Sequence, residues 1–461
     1  MPINTAIILA AGPGQRIWPY NEVRNKCTTP VGNLPNIRRI ANDLVSAGLS
    51  QSVVVVGVNP GSVRAALFGG PLQTVYVNQA QPTGTADAAV LGLSQTDAEA
   101  VLLIYGDIVT SPATIQRALD CWNQGDHAAV ALVERIVLPR HANDWIGGYV
   151  EDGLLKSIEG HSTSAPYRLG GLFVFDRRLL PYLVATPDVM VAVPIGGMPA
   201  AERELAQALQ RFIADGNPIA AIEPIDYLVD MDKPWHILEA NHHVLRATTA
   251  ALHEHTIHPS ARIHDGAEIQ GFVELGHGSK IGNRVVLGGN TIIGAQTQVI
   301  NGAILKGSVL IGHECRISDY CLIEDNTVIG NRCIVGHGAE MSGVQFDGSY
   351  LWHYCEIYGI VGQAVDIGAA TVCGTLRFDD GPTPHRVRGR RELPESGSNA
   401  TYFGDFSRTG VNVITQPGAK IGAYACVGAG IVVYEDVPSR TLRLLKQETT
   451  DRPWGPERYG W

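Results

Sequence analysis

Positive charge is scarce in this chain: 35 lysines and arginines stand against 45 aspartates and glutamates, a formal net charge of -10. A nucleic-acid binder needs a basic footprint to neutralise phosphates, so the balance argues against that class. It leaves room for a nucleotide site, where a few local cations suffice. No apolar run approaches the length of a membrane span. The opening MPINTAIILAAG lacks the basic segment and cleavage site of a signal peptide and reads as a strand. The eight cysteines form no C-x-x-C pair and no Cys/His metal spacing. Reduced thiols in a cytoplasmic protein fit that pattern better than a disulfide framework. With 45% apolar and 17% charged residues the chain is globular, and its 461 residues exceed one ordinary core.

The chain changes texture part-way along. Over residues 1–246, apolar runs such as AIILAAG, QSVVVVGV, AVLLIYGD and AAVALVERI alternate with helix-like stretches such as NIRRIANDLVSAGL. That alternation predicts a Rossmann-like α/β domain with a mostly parallel sheet, and ligands in such sheets gather at the carboxyl ends of the strands. After a linker at 247–256, every sixth residue from Ile257 to Met341 is a long or branched aliphatic. Four positions after each comes a small residue, and glycine often follows the aliphatic.

A six-residue period with one large and one small inward position predicts a left-handed parallel β-helix over 257–437. Each hexapeptide forms one face of a triangular prism, and the aliphatics stack inside. Cys315, Cys321 and Cys333 fall in the small inward slot and are expected to be structural thiols rather than a metal site. The phase breaks at QFDGSYLWHYCEIYG and again over an inserted loop at 377–404, which carries Pro382, Pro384, Arg386, Arg388, Arg390 and Arg391. That loop reads either as a cover over a ligand cleft between neighbouring subunits or as a solvated hairpin. The tail at 438–461, with its aromatic end PWGPERYGW, is expected to dock on the prism.

After the first strand stand Gly12 and Gly14, but the third glycine of a dinucleotide loop is Ile17, and the G-K-[ST] of a Walker loop is missing. What remains is L-A-A-G-x-G-x-R followed by Lys26. The glycines let backbone amides approach a phosphate chain, and Arg16 and Lys26 supply cations beside it.

LAAGPGQR, Lys26, QAQPTGTADA, YGD and LVDMDKPWHILEAN occur in the order found in sugar-1-phosphate nucleotidyltransferases. With the hexapeptide half, nearly the whole chain resembles the bifunctional enzymes that join such a transferase to a β-helix acyltransferase. N-acetylglucosamine-1-phosphate uridyltransferase and its archaeal relatives are the type. The resemblance implies that Ala10, Ala11, Gly12, Gly14 and Arg16 hold the departing phosphates and that Lys26 neutralises the α-phosphate. It implies that Gln79, Gly84 and Thr85 read a pyrimidine, favouring UTP or dTTP, and that Gly148 and Glu159 line the sugar. Asp107 and Asp230 would hold Mg2+, although Asp232 shares the strand face of Asp230. The family's Glu-Lys-Pro is Glu159-Gly160-His161 here, and the asparagine of its sugar pocket is Leu169.

In the β-helix the resemblance matches His353 to a general base that uses acetyl-CoA as acyl donor. The lysines and asparagine that should assist it are Ser342, Thr375 and Ser398, and Tyr358 fits its partner tyrosine only with a shift of one residue. A purely structural, trimer-forming prism is the competing reading. The expected activity is Mg2+-dependent nucleotidyl transfer from a nucleoside triphosphate to a sugar-1-phosphate, in a homotrimer without nucleic-acid or membrane partners. Its rivals are an acyl-CoA-dependent N-acyltransferase and a catalytically silent homologue that binds sugar nucleotide. The silent homologue should have lost Arg16, Lys26 or Asp107, and all three are present.

Overall fold

The computed structural model of the chain describes residues 3–125, 127–137, 145–160, 162–188 and 202–458. Its N-terminal half is built on a nine-stranded sheet. The order across it is Gln73–Asn78, Gln51–Val56, Thr5–Ala10, Ala100–Tyr105, Tyr167–Asp176, Ala129–Arg135, Ile219–Ile222, Leu154–Gly160 and Ile146–Glu151. The first four strands pair in parallel. Tyr167–Asp176 then enters antiparallel to both of its main neighbours, so the sheet is mixed rather than mostly parallel. Ile146–Glu151 and Leu154–Gly160 form a hairpin closed by Asp152 and Gly153, both at positive φ, and a hairpin reverses strand direction without a crossover helix.

The second half is a parallel β-helix. Successive rungs align residue on residue, as in Lys280 with Gln298 and Gln298 with Arg316. The inward ladder forms one continuous core that includes Leu287, Leu305, Ile323, Met341 and Ile357. Ile257, expected inside, is 43% exposed, because the first rung has no coil beneath it to cover its side chain. The phase break near residue 341 has a simple geometry. Glu340–Gln345 and Glu356–Val361 each run straight through what is a corner in earlier coils, so two faces share one strand and the coil shortens. All eight cysteines are free, and Cys315, Cys321 and Cys333 are buried with their thiols directed at backbone carbonyls.

Strands Thr256–Ile257 to Leu442–Arg443 belong to the prism, which therefore runs past residue 437. Beyond it residues 445–451 and the side chain of Trp454 are exposed, and the last residues of the tail expected to dock on the prism, from 459 on, lie outside the described residues.

The helix Pro234–Ala250 includes residues 247–250, expected in the linker, and packs on the prism. Its buried side chains Trp235, Ile237 and Leu245 join Ile17, Tyr20, Val344, Phe346, Ile360 and Tyr402 in an apolar cluster shared by both halves. Polar groups cross the same junction. The Tyr20 hydroxyl donates to the Ile360 carbonyl at 3.1 Å, and the Asn33 amide donates to the Ile329 carbonyl at 2.7 Å. Arg24 forms a buried ion pair with Asp405 of the prism. An apolar junction of this kind fixes the two halves as one body.

Candidate active site

The first strand ends at Ala10, at the carboxyl edge of the sheet, and the chain turns through Gly12 and Gly14. Gly14 adopts φ 58°, and a Cβ there would lie 2.8 Å from the Lys26 Cβ, so only glycine lets the phosphate loop and the lysine come together. Asn25 holds the lysine turn. Its amide donates to the carbonyls of Ala10 and Val58 at 2.9 and 2.8 Å, while its side-chain oxygen accepts from the Cys27 N–H. The antiparallel pair Ile108–Thr110 with Leu228–Asp230 brings Asp107 and Asp230 to the same edge, 123 residues apart in sequence but in adjacent register.

Lys26 forms an ion pair with Asp107 and lies 3.8 Å from the Asp232 carboxylate, which Arg16 meets at 3.0 Å. Burial alone would lower the Lys26 pKa, but Asp107, Asp230 and Asp232 overcome it and raise it. Asp232 is held below the ordinary carboxylate range because Lys26, Arg16 and Lys233 outweigh its burial. Asp230 behaves oppositely. Burial first, and then the Asp107 charge, push it up to about 6. Its carboxylate makes no hydrogen bond or ion pair among the described residues, so it is the group in this site that lacks a cation.

Elsewhere the residues expected from sequence fall around this centre. The Gln79 amide donates to the Thr83 hydroxyl and the Gly84 carbonyl at 3.2 and 3.1 Å. Thr85 donates to Glu204 at 2.7 Å and accepts from the Leu205 N–H, which ties this loop to the start of the helix Leu205–Ala214. Glu159 accepts a 3.2 Å hydrogen bond from Tyr149. A Cβ on Gly148 would meet the side chains of Leu155 and Leu169, so the wall beside it is apolar. His161 lies outside the described residues.

His353 stands apart. It is exposed at a prism corner, with the rings of His337, Trp352 and Tyr354 around it. Tyr358 packs instead against the apolar junction between the halves, so the structure gives these two residues different surroundings.

Several residues of the centre were not singled out from sequence. Lys233, almost fully buried, forms an ion pair with Glu392 of the inserted loop. The loop is therefore not a free solvated hairpin, because one of its edges is anchored on its own chain. Its hairpin, His385–Val387 with Arg390–Glu392, lies against the N-terminal half of its own chain. It returns to the prism by Thr401, so the last residues of the expected 377–404 span are a β-helix strand. A cavity of about 520 Å3 opens between the two, lined by Trp145, Asp230, Asp232, Lys233, Arg390 and Arg391. The only sequence signal was the run of arginines, which does not say what it faces.

Glu239 also lines that cavity, and burial raises it to about 7 against a partly opposing Arg168. The unfolded chain releases this proton near 4.5, so between the two values the native state binds more protons and stability falls as pH rises. Glu239→Gln is expected to raise the unfolding free energy by about 1–3 kcal/mol at pH 8 and leave it unchanged at pH 4, read from urea titrations at both values.

Comparison with known proteins agrees with this layout. A MobA-like NTP transferase domain matches residues 6–223, and a GMPPB C-terminal domain matches residues 251–345. Bifunctional protein GlmU of Methanococcus maripaludis strain C7 is 30% identical over 449 residues, covering 96% of this chain and 98% of that protein. The chain belongs to the bifunctional sugar-1-phosphate nucleotidyltransferase/acetyltransferase family. Another member, from Sulfurisphaera tokodaii, is named bifunctional sugar-1-phosphate nucleotidylyltransferase/acetyltransferase and is 26% identical over 442 residues, 94% of this chain and 98% of its own length. A solved UDP-glucose pyrophosphorylase complexed with UDP-glucose covers 53% of this family member and 99% of its own chain, with a TM-score of 0.46 and 17% identity. No helix among the described residues is long and apolar enough to cross a membrane.

Proposed function

We propose that the N-terminal half transfers a nucleotidyl group from UTP or dTTP to a sugar-1-phosphate. An oxygen of the sugar phosphate forms the new bond to the α-phosphorus, the bond from that phosphorus to the β-phosphate bridge breaks, and pyrophosphate leaves. Such a reaction gathers several negative charges and needs no side-chain nucleophile, so positioning and charge neutralisation supply the catalysis. The observation that carries the reading is the ionic chain Asp107–Lys26–Asp232–Arg16, set beside the Gly12–Gly14 turn at the carboxyl edge of the sheet. In it Lys26 faces the α-phosphate and Arg16 the departing phosphates, while Gln79, Gly84 and Thr85 form the base side and Gly148 and Glu159 the sugar side. Leu155 and Leu169 beside Gly148 favour a sugar with an apolar face there.

Magnesium fits the same centre. Among the described residues no cluster of three or more metal-binding side chains exists, but Mg2+ is commonly held by one or two carboxylates and completes its shell with phosphate oxygens and water. Asp107 and Asp230 would hold it, and the half-buried Asp230, which has no ion-pair partner among the described residues, is the group a cation would satisfy. When bound it would supply charge neutralisation between the phosphates.

The test is pyrophosphate release with each of four nucleoside triphosphates, a panel of sugar-1-phosphates and Mg2+. Release with UTP or dTTP is expected, and Asp107→Asn should abolish it. Tight binding of sugar nucleotide without release in any combination would return the silent-homologue reading. The acyltransfer reading is probed in the same sample by following free thiol from acetyl-CoA with amino-sugar phosphates.

We also infer a trimer built through the prism. One outer face presents an aliphatic strip, Val286, Ile304, Leu322, Val372, Ile414 and Val432, broken only by Glu340 and Glu356. The neighbouring face is mostly polar at the equivalent positions, with Arg262, Lys280, Gln298, Arg316 and Asp366. Sedimentation equilibrium should give the mass of three chains; a monomer would refute the inference.

A further inference from the structure

On the other side of the ionic chain lies a second cleft of about 310 Å3. One wall is Gln15, Arg16 and Trp18, directly after the glycine turn; the other is Arg386 and Arg388 of the prism's hairpin, with Lys420 behind them. Arg16, Arg386, Arg388 and Lys420 thus converge in a protein of net charge -10. Glu22 is the single carboxylate lining the cleft, and it already accepts hydrogen bonds from Trp18 at 2.8 Å and Ser439 at 2.6 Å.

None of the cations is fully satisfied. Among the described residues, the side chains of Arg386 and Arg388 have no hydrogen-bond or ion-pair partner. Lys420 is 2% exposed, yet its ammonium has only a 3.4 Å contact to the Arg386 carbonyl and a 3.7 Å ion pair with Asp436. The two guanidinium groups are exposed and unpaired beside this buried ammonium, so their donors are free to meet an anion entering the cleft.

The hairpin is also held in place. Arg388 at φ 47° and Gly389 at φ 83° form a two-residue turn, Glu392 is anchored by Lys233, and Val387 is buried in the apolar junction. The guanidinium groups are therefore displayed from a fixed scaffold, which suits charge-assisted, two-point binding of phosphate oxygens.

We propose that Arg386 and Arg388, from the β-helix insert, complete the nucleotidyltransferase site by holding the β- and γ-phosphates of the nucleotide, and then pyrophosphate, opposite Arg16. The inference rests on the nucleotidyl-transfer reading above. Arg16 is partly committed to Asp232 at 3.0 Å, so the departing pyrophosphate needs further cations, and the hairpin is where they stand. The fused prism would then be a working part of the first reaction, independent of any acyl transfer.

The experiment compares the full-length protein with the R386A/R388A variant, after melting curves confirm equal folding. The KM values for the nucleotide, and for pyrophosphate in the reverse reaction, are expected to rise about tenfold or more, with the KM for sugar phosphate unchanged. The corresponding Arg→Lys double variant should recover part of the loss. Unchanged nucleotide and pyrophosphate constants would overturn the proposal, as would an equal rise for the sugar phosphate. Calorimetry with inorganic pyrophosphate separates this from the parent reading, because it needs no turnover. Binding that weakens in R386A/R388A and competes with nucleotide supports the hairpin's role even if no sugar is turned over. Pyrophosphate binding that is independent of nucleotide identifies a separate anion site and overturns it.

Discussion

Asp405→Ala is expected to destabilise the protein by about 3–5 kcal/mol, the range for removing one partner of a buried ion pair. Asp405 is fully buried, pairs with Arg24, and also accepts the Gln363 N–H at 2.7 Å. Removing the carboxylate leaves a guanidinium that is 9% exposed, inside the junction between the two halves, with one 3.2 Å hydrogen bond to the Gln363 side-chain oxygen and the face of Phe346 but no counter-charge. Burial raises the Asp405 pKa against the pull of Arg24, so the pair is maintained at a desolvation cost and its net worth is smaller than the cost of breaking it. Arg24→Met combined with Asp405→Leu should therefore recover most of the loss. Urea unfolding of both single variants and the pair supplies the cycle. A single-variant loss below about 1 kcal/mol would show that the junction relaxes or admits water.

Lys26→Met is expected to lower the rate constant of nucleotidyl transfer by about a thousandfold, as for other single groups aimed at charge that develops in the transition state. The lysine is surrounded by three carboxylates that raise its pKa, so it is a fixed cation at every working pH. Its loss also leaves Asp107 without its ion-pair partner, while Asp232 keeps Arg16 and Lys233. The variant should accordingly bind added Mg2+ no more weakly than the parent, while turnover collapses. Single-turnover kinetics with saturating nucleotide separate the two effects. A rate within tenfold of the parent would place the α-phosphate elsewhere and remove Lys26 from the mechanism.

Much of this molecule was legible in the linear sequence because its order is local. The hexapeptide period encodes an inward side chain on each face of the prism, and each coil touches only its neighbours, so Leu287, Leu305 and Ile323 could be placed without knowing anything distant. The period also marked its own interruptions. The glycine turn at the end of the first strand was equally local, and in the structure Gly14 makes room for Lys26.

What failed was whatever depended on distant partners. Tyr167–Asp176 looks like any buried strand, and nothing within it states that it pairs antiparallel on both sides. Asp230 and Asp232 have the same side chain two positions apart, yet one is unpaired and raised to about 6 while the other is held low by Arg16, Lys26 and Lys233. The placement of the surrounding charges, Asp107 beside one and three cations beside the other, separates them. The inserted loop displayed its arginines openly, but the two sides they face come from residues 15–18 and 230–236, more than 150 positions away.

The sequence by itself determined the two architectures, their order, and the residue types gathered at the strand ends. Those properties follow from short-range periodicity, turn chemistry and the ordered motifs. Tertiary structure alone decided that the prism's hairpin lies beside the candidate active site of its own chain, because docking there depends on the apolar junction around Tyr20, Trp235 and Phe346 and on the Arg24–Asp405 and Lys233–Glu392 pairs. Such contacts join groups hundreds of residues apart, and their stabilising power comes from mutual burial, which no local pattern records.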